Sequence, residues 1–142
     1  MQAHWAEIDG DGEFDPDWQR LFAAARAGRM QVFTARRGGI IGYILFQVSP
    51  ELLCKRRLVA EARAFWLTPA ERFGWIGYHL IKNCEPALAS IGVREICFQP
   101  TIDFCNDRGQ TVGVIFRRLG YRPTEVRQSK PLGAGHVGRV GK

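Results

Sequence analysis

An arginine and two glycines, Arg72, Gly74 and Gly77, stand just after an apolar segment that ends at Leu67. A run with helical apolar spacing begins at Gly74. The first backbone N–H groups of a helix have no acceptor within it, the helix dipole favours negative charge there, and glycine lets a ligand come close. Arg72 adds a planar cation that suits phosphate oxygens. This arrangement predicts that the loop binds a pyrophosphate.

The elements on either side of this loop predict a βαβ unit. A strand at 58–67 precedes the loop, a helix at about 74–90 follows it, and a strand at 93–98 comes next. Pro86 lies inside the helix and predicts a kink or a break. A right-handed crossover of this kind makes the two strands parallel. Regular alternation along the first strand would place four side chains on one face: Glu61, Arg63, Phe65 and Leu67.

Two further strands are predicted before this unit, so that three strands form an antiparallel meander. Residues 30–36 and 40–48 are rich in strand formers, and Gly38-Gly39 provides a tight turn between them. Ser49-Pro50 is predicted to end the second strand. The segment 51–57, which ends in three consecutive cations, is then a loop.

The N-terminal residues are acidic. A calcium loop that began at Glu7 would need a bidentate carboxylate at its twelfth position, where Trp18 stands, so we interpret residues 1–15 as a turn-rich lead-in. Asp15, followed by a proline, is the predicted N-cap of an amphipathic helix that runs to Gly28. The aromatic stripe of this helix is predicted to be core.

The C-terminal part predicts a helix at 111–119 that ends at Gly120, and a last strand at 121–129. Residues 131–142 hold four glycines and few large apolar side chains, which indicates a disordered basic tail. The chain of 142 residues is therefore predicted to be one domain, residues 1–130, followed by this tail.

The composition and the charge distribution limit the kinds of ligand, partner and cellular compartment that suit this protein. The net charge is +6, with acids concentrated in residues 1–17, which suits an anionic ligand in the basic middle and leaves nucleic acid as an alternative partner. The four cysteines form no CxxC pair and indicate reduced side chains in a cytoplasmic protein. No apolar run is long enough to span a bilayer, and we expect no membrane partner. No cluster of ligand residues predicts a metal site.

Two short motifs add to this order of elements. Arg72 and Gly77 fit the first and last positions of the pattern Arg/Gln-x-x-Gly-x-Gly/Ala, Trp75 occupies its middle glycine, and Gly74 stands one step earlier. Residues 115–121, Ile-Phe-Arg-Arg-Leu-Gly-Tyr, are similar to a helix-to-strand segment Phe-Tyr-x-x-Leu-Gly-Phe. The chain resembles the GNAT superfamily of N-acetyltransferases over about residues 16–130. The resemblance implies an α/β fold with a mixed sheet, in which an antiparallel meander precedes a βαβ unit with splayed parallel strands.

The resemblance also implies a cosubstrate, acetyl-coenzyme A, held between the two splayed strands. Its pyrophosphate would meet the backbone N–H groups of residues 73–77, and its pantetheine arm would pair with the strand edge at residues 66–68. A backbone amide of that edge would polarise the thioester carbonyl. The implied binding residues are Trp66, Leu67, Thr68, Arg72, Phe73, Gly74, Trp75, Ile76 and Gly77.

Acetyl transfer to an amine needs a base, because an alkylamine with a pKa of about 10.4 is protonated at neutral pH. Many relatives carry an acid on the central strand, where this chain has Glu61, and the alternative for Glu61 is a structural ion pair with Arg63. The tyrosine that usually protonates the leaving thiolate is replaced by Phe116. Tyr121 or Cys105 is then the donor, or the thiolate leaves unassisted, or the protein binds coenzyme A without efficient turnover.

Two functions follow from these residues. The first is an N-acetyltransferase that acts on a primary amine of a small molecule or a protein. The second is a non-catalytic or weakly catalytic coenzyme A-binding module that regulates, or that contacts nucleic acid or an acidic protein. The sequence leaves the acceptor open, and dimers are common in the family, so a homodimer is one expected form.

Overall fold

A computed structural model describes residues 2–8, 14–72, 74–99 and 113–124. The elements are helices α1 (Gln2–Ile8), α2 (Trp18–Arg26), α3 (Ile76–Ser90) and α4 (Gly113–Arg118), and strands β1 (Met30–Arg36), β2 (Ile40–Glu51), β3 (Cys54–Leu67) and β4 (Val93–Cys97). A 3₁₀ turn, Pro69–Glu71, links β3 to α3. The predicted mixed α/β fold is confirmed.

The four strands form one sheet in the order β1-β2-β3-β4, with antiparallel pairs except for the parallel pair of β3 and β4. Pairing between β3 and β4 starts at Leu58 with Val93 and stops at Glu61 with Cys97. Because β3 continues to Leu67, its edge from residue 62 onward has no β4 partner among the described residues. Strand β4 itself ends at Cys97, and we refer to the space beside this edge of β3 as the cleft.

A β-bulge in the middle of β3 changes which face its side chains occupy. Leu45 pairs with Ala64 and the next residue, Phe46, pairs with Ala62, so that Arg63 is the extra residue. Phe65 lies on the core face with Ala62, whereas Glu61 lies on the opposite face. The predicted single face for the four side chains from Glu61 to Leu67 is wrong, because a bulge shifts the alternation by one residue.

The core lies between the sheet and α3. Among the described residues, the five largest fully buried side chains lie there: Phe46, Ile44, Ile81, Leu88 and Cys84. Helix α3 begins at Ile76, two residues later than predicted, and continues through Pro86 to Ser90, so the predicted break at this proline is wrong. Burial of residues on both sides of Pro86 holds the helix against the sheet and compensates for the missing backbone hydrogen bond.

The hairpin of β2 and β3 is longer than predicted. Strand β2 continues through Pro50 to Glu51, and the cations at 55–57 lie in β3 rather than in a loop. Pro50 is tolerated because β1 does not extend beside it, so the missing N–H breaks no ladder there. Arg57 in β3 forms one ion pair with Glu51 in β2 and another with Glu95 in β4, so it links the hairpin to the parallel strand as well.

The two chain ends also differ from the prediction. Residues 2–8 form helix α1 instead of a turn-rich lead-in, because contacts with the sheet stabilise it. The N-cap of α2 is Asp17 and not Asp15, since the Asp17 carboxylate accepts the N–H of Arg20 at 2.9 Å. Residues 121–124 are not a strand, and the rest of the predicted last strand and the tail at 131–142 lie outside the described residues.

Candidate functional site

The loop after β3 leads into the N-terminus of α3. Trp75 is the N-cap of that helix but makes no side-chain capping bond, and its side chain is 63% exposed. The N–H groups of the first helical turn, which include those of Ile76 and Gly77, have no acceptor within the helix by geometry. An anion at this end would therefore find donors and the positive end of the helix dipole. Phe73 lies outside the described residues.

Arg72 folds back from the loop onto the end of β3. Its Nε–H donates to the carbonyl oxygen of Leu67 at 3.0 Å. Its guanidinium also forms an ion pair with the carboxylate of Glu7 in α1. The cation that the sequence assigned to phosphate is thus held by an internal carboxylate 65 positions earlier in the chain. Sequence reasoning missed this role of Glu7 and considered its acidity only for calcium.

Glu7 accepts a second hydrogen bond, from the indole Nε1–H of Trp66 at 3.2 Å. Burial alone would raise the pKa of Glu7, but the hydrogen bonds from Arg72 and Trp66 outweigh it and hold that pKa below its ordinary value. The carboxylate is therefore ionised at neutral pH. It joins two residues that were both predicted to bind acetyl-coenzyme A.

His4, one turn before Glu7, fastens α1 to the sheet. Its Nδ1 lies 2.7 Å from the hydroxyl oxygen of Tyr43, and its ring stacks on Trp66 with centroids 6.3 Å apart. Burial lowers the pKa of His4, and the nearby Glu7 carboxylate partly opposes this shift. Helix α1 consequently covers the face of the sheet opposite α3, which is also the face that carries Glu61.

At the end of β3, the backbone N–H groups of Leu67 and Thr68 are directed to opposite edges of the strand. The N–H of Thr68 donates to the carbonyl of Ile41 in β2 at 2.8 Å. Because successive residues of a strand direct their backbone groups to opposite edges, the N–H of Leu67 is directed to the open edge. Leu67 thus places an amide donor beside the cleft, while the backbone of Thr68 is engaged by β2.

The two loop glycines differ in their surroundings. A Cβ atom on Gly77 would lie 3.1 Å from Leu67 Cδ1 and 3.4 Å from Phe65 Cζ, so glycine lets α3 pack closely on β3. A Cβ on Gly74 would meet nothing nearer than 3.9 Å. Sequence reasoning also missed Gly42 in β2, where a Cβ would lie 2.4 Å from Leu67 Cδ2.

Glu61 lies at the vertex of the cleft, in the last pair between β3 and β4. Its carboxylate forms an ion pair with Arg63 at 3.3 Å, and both side chains are 47% exposed. An exposed pair of this kind contributes little to stability and leaves the carboxylate accessible to water and to a ligand.

Solved structures that share this fold are acetyltransferases. An aminoglycoside acetyltransferase from an uncultured soil metagenomic sample matches with a TM-score of 0.71 at 16% identity, over 92% of this chain and 87% of that one. Glucosamine-6-phosphate N-acetyltransferase from Arabidopsis thaliana matches with 0.70 at 10% identity, over 92% and 88%. Ribosomal-protein-alanine N-acetyltransferase from Brucella melitensis biovar Abortus 2308 matches with 0.63 at 12% identity, over 94% and 88%. The fold is that of the GNAT superfamily of N-acetyltransferases.

The likeness to these structures is one of fold. No protein-family model matches the chain, and no curated protein matches it in sequence. The helices within the described ranges include none that is long and apolar enough to cross a membrane. The same residues contain no group of three or more His, Cys, Asp or Glu placed to hold a metal ion.

Phe116, at the position where the resemblance implies a proton-donating tyrosine, is buried in the core with its ring centroid 4.7 Å from that of Phe98. The hydroxyl of Tyr121, an alternative donor, donates to Glu85 at 3.0 Å. Burial and the Glu85 carboxylate raise the pKa of Tyr121, so this phenol holds its proton firmly. Cys105 lies outside the described residues.

Proposed function

We propose that the protein is a cytoplasmic N-acetyltransferase that transfers the acetyl group of acetyl-coenzyme A to a primary amine of a small molecule or a protein. The observation that carries this proposal is the edge of β3 from residue 62 to Leu67, which has no partner strand within the described ranges and leads from Glu61 to the N-terminus of α3, where no side chain caps the helix. Along this edge, Glu61 would supply a carboxylate, Leu67 an amide donor, and the start of α3 a site for an anion.

Binding rests on the loop and on the edge of β3. Backbone N–H groups of residues 73–77 and the guanidinium of Arg72 would hold the pyrophosphate, and Trp75 offers an exposed ring beside them. Residues 66–68 would flank the pantetheine arm. The Leu67 N–H, directed to the open edge, would donate to the thioester carbonyl, where negative charge develops during attack.

The reaction would proceed by direct attack. Acetyl-coenzyme A is a thioester, so its acetyl group is activated and the leaving group is the thiolate of coenzyme A. Glu61, directly or through one water, would take one proton from the acceptor ammonium, so that the neutral nitrogen forms the C–N bond as the C–S bond breaks. The nitrogen would then lose a second proton, to water or to the departed thiolate, and the products would be the amide and coenzyme A. In this scheme the thiolate leaves unassisted, since Phe116 has no proton to give and the Tyr121 hydroxyl donates to Glu85. Cys105 is the other donor that the sequence leaves open.

A melting scan with and without acetyl-coenzyme A tests binding, since ligand at a hundredfold its Kd adds about 2.7 kcal/mol of stability. No shift at millimolar ligand would exclude the cosubstrate. Arg72→Glu should abolish the shift. A bulky residue at Gly77 is not a clean probe of binding, because it would collide with Leu67 and Phe65 and disturb the fold. Thiol release with a panel of amines then tests turnover.

The buried Phe116 and the hydrogen-bonded Tyr121 favour a second candidate, a coenzyme A-binding regulatory module with little or no turnover. Its partner would be nucleic acid or an acidic protein, given the net charge of +6. Saturable binding of acetyl-coenzyme A without thiol release for any amine would support it. A salt-dependent titration with nucleic acid would then separate the two partners.

A further inference from the structure

Helix α1 reaches the candidate cofactor site through the side chain of Glu7. This carboxylate contacts Arg72 and Trp66, which come from the loop and from β3 respectively. No motif of the loop contains Glu7, and it is separated from Arg72 by most of the meander. Helix α1 is therefore a third element of the fold, after β3 and the loop, that can affect how tightly this site binds phosphate.

A carboxylate and a phosphate compete for the same donors. The guanidinium of Arg72 presents its N–H groups in a fixed fork, and such a fork binds carboxylate and phosphate oxygens with the same geometry. In this fork, the Nε–H group already donates to the Leu67 carbonyl, and Nη2 already donates to the Glu7 carboxylate. A pyrophosphate that takes Nη2 must displace the Glu7 carboxylate.

We infer that Glu7 is an affinity-determining residue of the cofactor site, whose carboxylate occupies the Arg72 guanidinium and is exchanged for the pyrophosphate of acetyl-coenzyme A. The inference rests on the proposed function. The exchange requires a side-chain movement of Glu7 and not the departure of α1, because His4 remains fastened to Tyr43 and stacked on Trp66.

The variant Glu7→Gln removes the competing charge and keeps the size of the side chain. We expect it to bind acetyl-coenzyme A about fivefold more tightly than the wild type in calorimetric titration, the fold-change that corresponds to the upper range for a partly exposed ion pair. A melting curve of the variant verifies that it is folded.

Glu71→Gln is the matched control. Glu71 precedes Arg72 in the chain and pairs with Arg37 at 2.7 Å, so this variant makes the same change in net charge at the loop without touching the Glu7 contact. We expect its affinity to remain within about twofold of the wild type. Equal tightening in both variants would mean that general charge, and not the pairing with Arg72, sets the affinity, and this result would overturn the inference.

A double-mutant cycle with Arg72→Gln makes the test specific to the pair. In the Arg72→Gln background, the further change Glu7→Gln should have no effect on the Kd, because the guanidinium for which the two anions compete is gone. A gain that persists in this background overturns the inference, as does an unchanged Kd of Glu7→Gln in the wild-type background. If neither the wild type nor either single Glu variant binds acetyl-coenzyme A, the proposed function fails, and the inference fails with it.

Discussion

Glu61 and Cys97 form the last pair of the parallel ladder, where β4 ends while β3 continues to Leu67. The carboxylate that we propose as the base therefore stands at the point where the cleft begins. Its partner Arg63 is the bulge residue, so the same irregularity that separates Glu61 from the core face also supplies its counterion.

Glu61→Gln should lower the rate of thiol release by about 10²-fold or more at neutral pH, because general-base catalysis contributes this much. Its binding of acetyl-coenzyme A should not change. Arg63→Gln is the control, since it breaks the same ion pair and keeps the carboxylate. Equal losses of rate in both variants would assign Glu61 a structural role.

Gly42→Ala should destabilise the fold by about 1–3 kcal/mol, as overpacking of a well-packed site does. The added Cβ would lie 2.4 Å from Leu67 Cδ2 and 3.0 Å from the Trp66 carbonyl oxygen. Gly39→Ala, where a Cβ meets nothing within 4 Å, is the comparison in denaturant unfolding. Similar unfolding free energies for the two variants would contradict the close approach of β2 to β3.

The stability of the protein should fall as the pH drops below about 6.5. Burial lowers the pKa of His4 in the folded chain, so below its ordinary value the unfolded chain binds more protons than the folded one. His4→Gln should flatten this part of the profile in melting scans between pH 8 and pH 5.5. His79→Gln, at an exposed position of α3, should leave the profile unchanged.

Tyr121→Phe should retain thiol release within about twofold of the wild type, because the phenol is bound to Glu85 and keeps its proton. The lost hydrogen bond should reduce stability by about 0.5–1.5 kcal/mol. Glu85→Gln serves as the control for that hydrogen bond. A rate loss of tenfold or more, confined to Tyr121→Phe, would identify Tyr121 as the general acid.

The part of the fold that the sequence predicted best is the run from β3 through the loop to β4. Its signals are local, because apolar alternation, an Arg/Gly turn and a helical stripe follow one another without interruption. The bulge at Arg63 left no such signal, since it depends on the register that β2 imposes. Continuation of β2 past Pro50 likewise depends on which strand lies beside it.

For the candidate site, the sequence pointed to the loop after β3 but gave no sign that α1 contacts it. Arg72 and Trp66 were selected by their positions, but their shared partner comes from α1, which was expected to lack regular structure. A contact between Glu7 and Arg72 cannot be read from spacing because a whole meander separates them. The role of Gly77 in packing required the distance to Leu67.

The bulge at Arg63 means that the two ends of β3 are out of phase. If β3 kept all its residues and paired with β2 in unbroken alternation, residues an even number of positions apart, such as Glu61 and Leu67, would share one face. Either Glu61 would then enter the apolar layer beside Phe46, or Leu67 would leave that layer for the α1 side. The placement of a charged side chain at the vertex of the cleft, with an apolar one at its far end, thus depends on a single inserted residue.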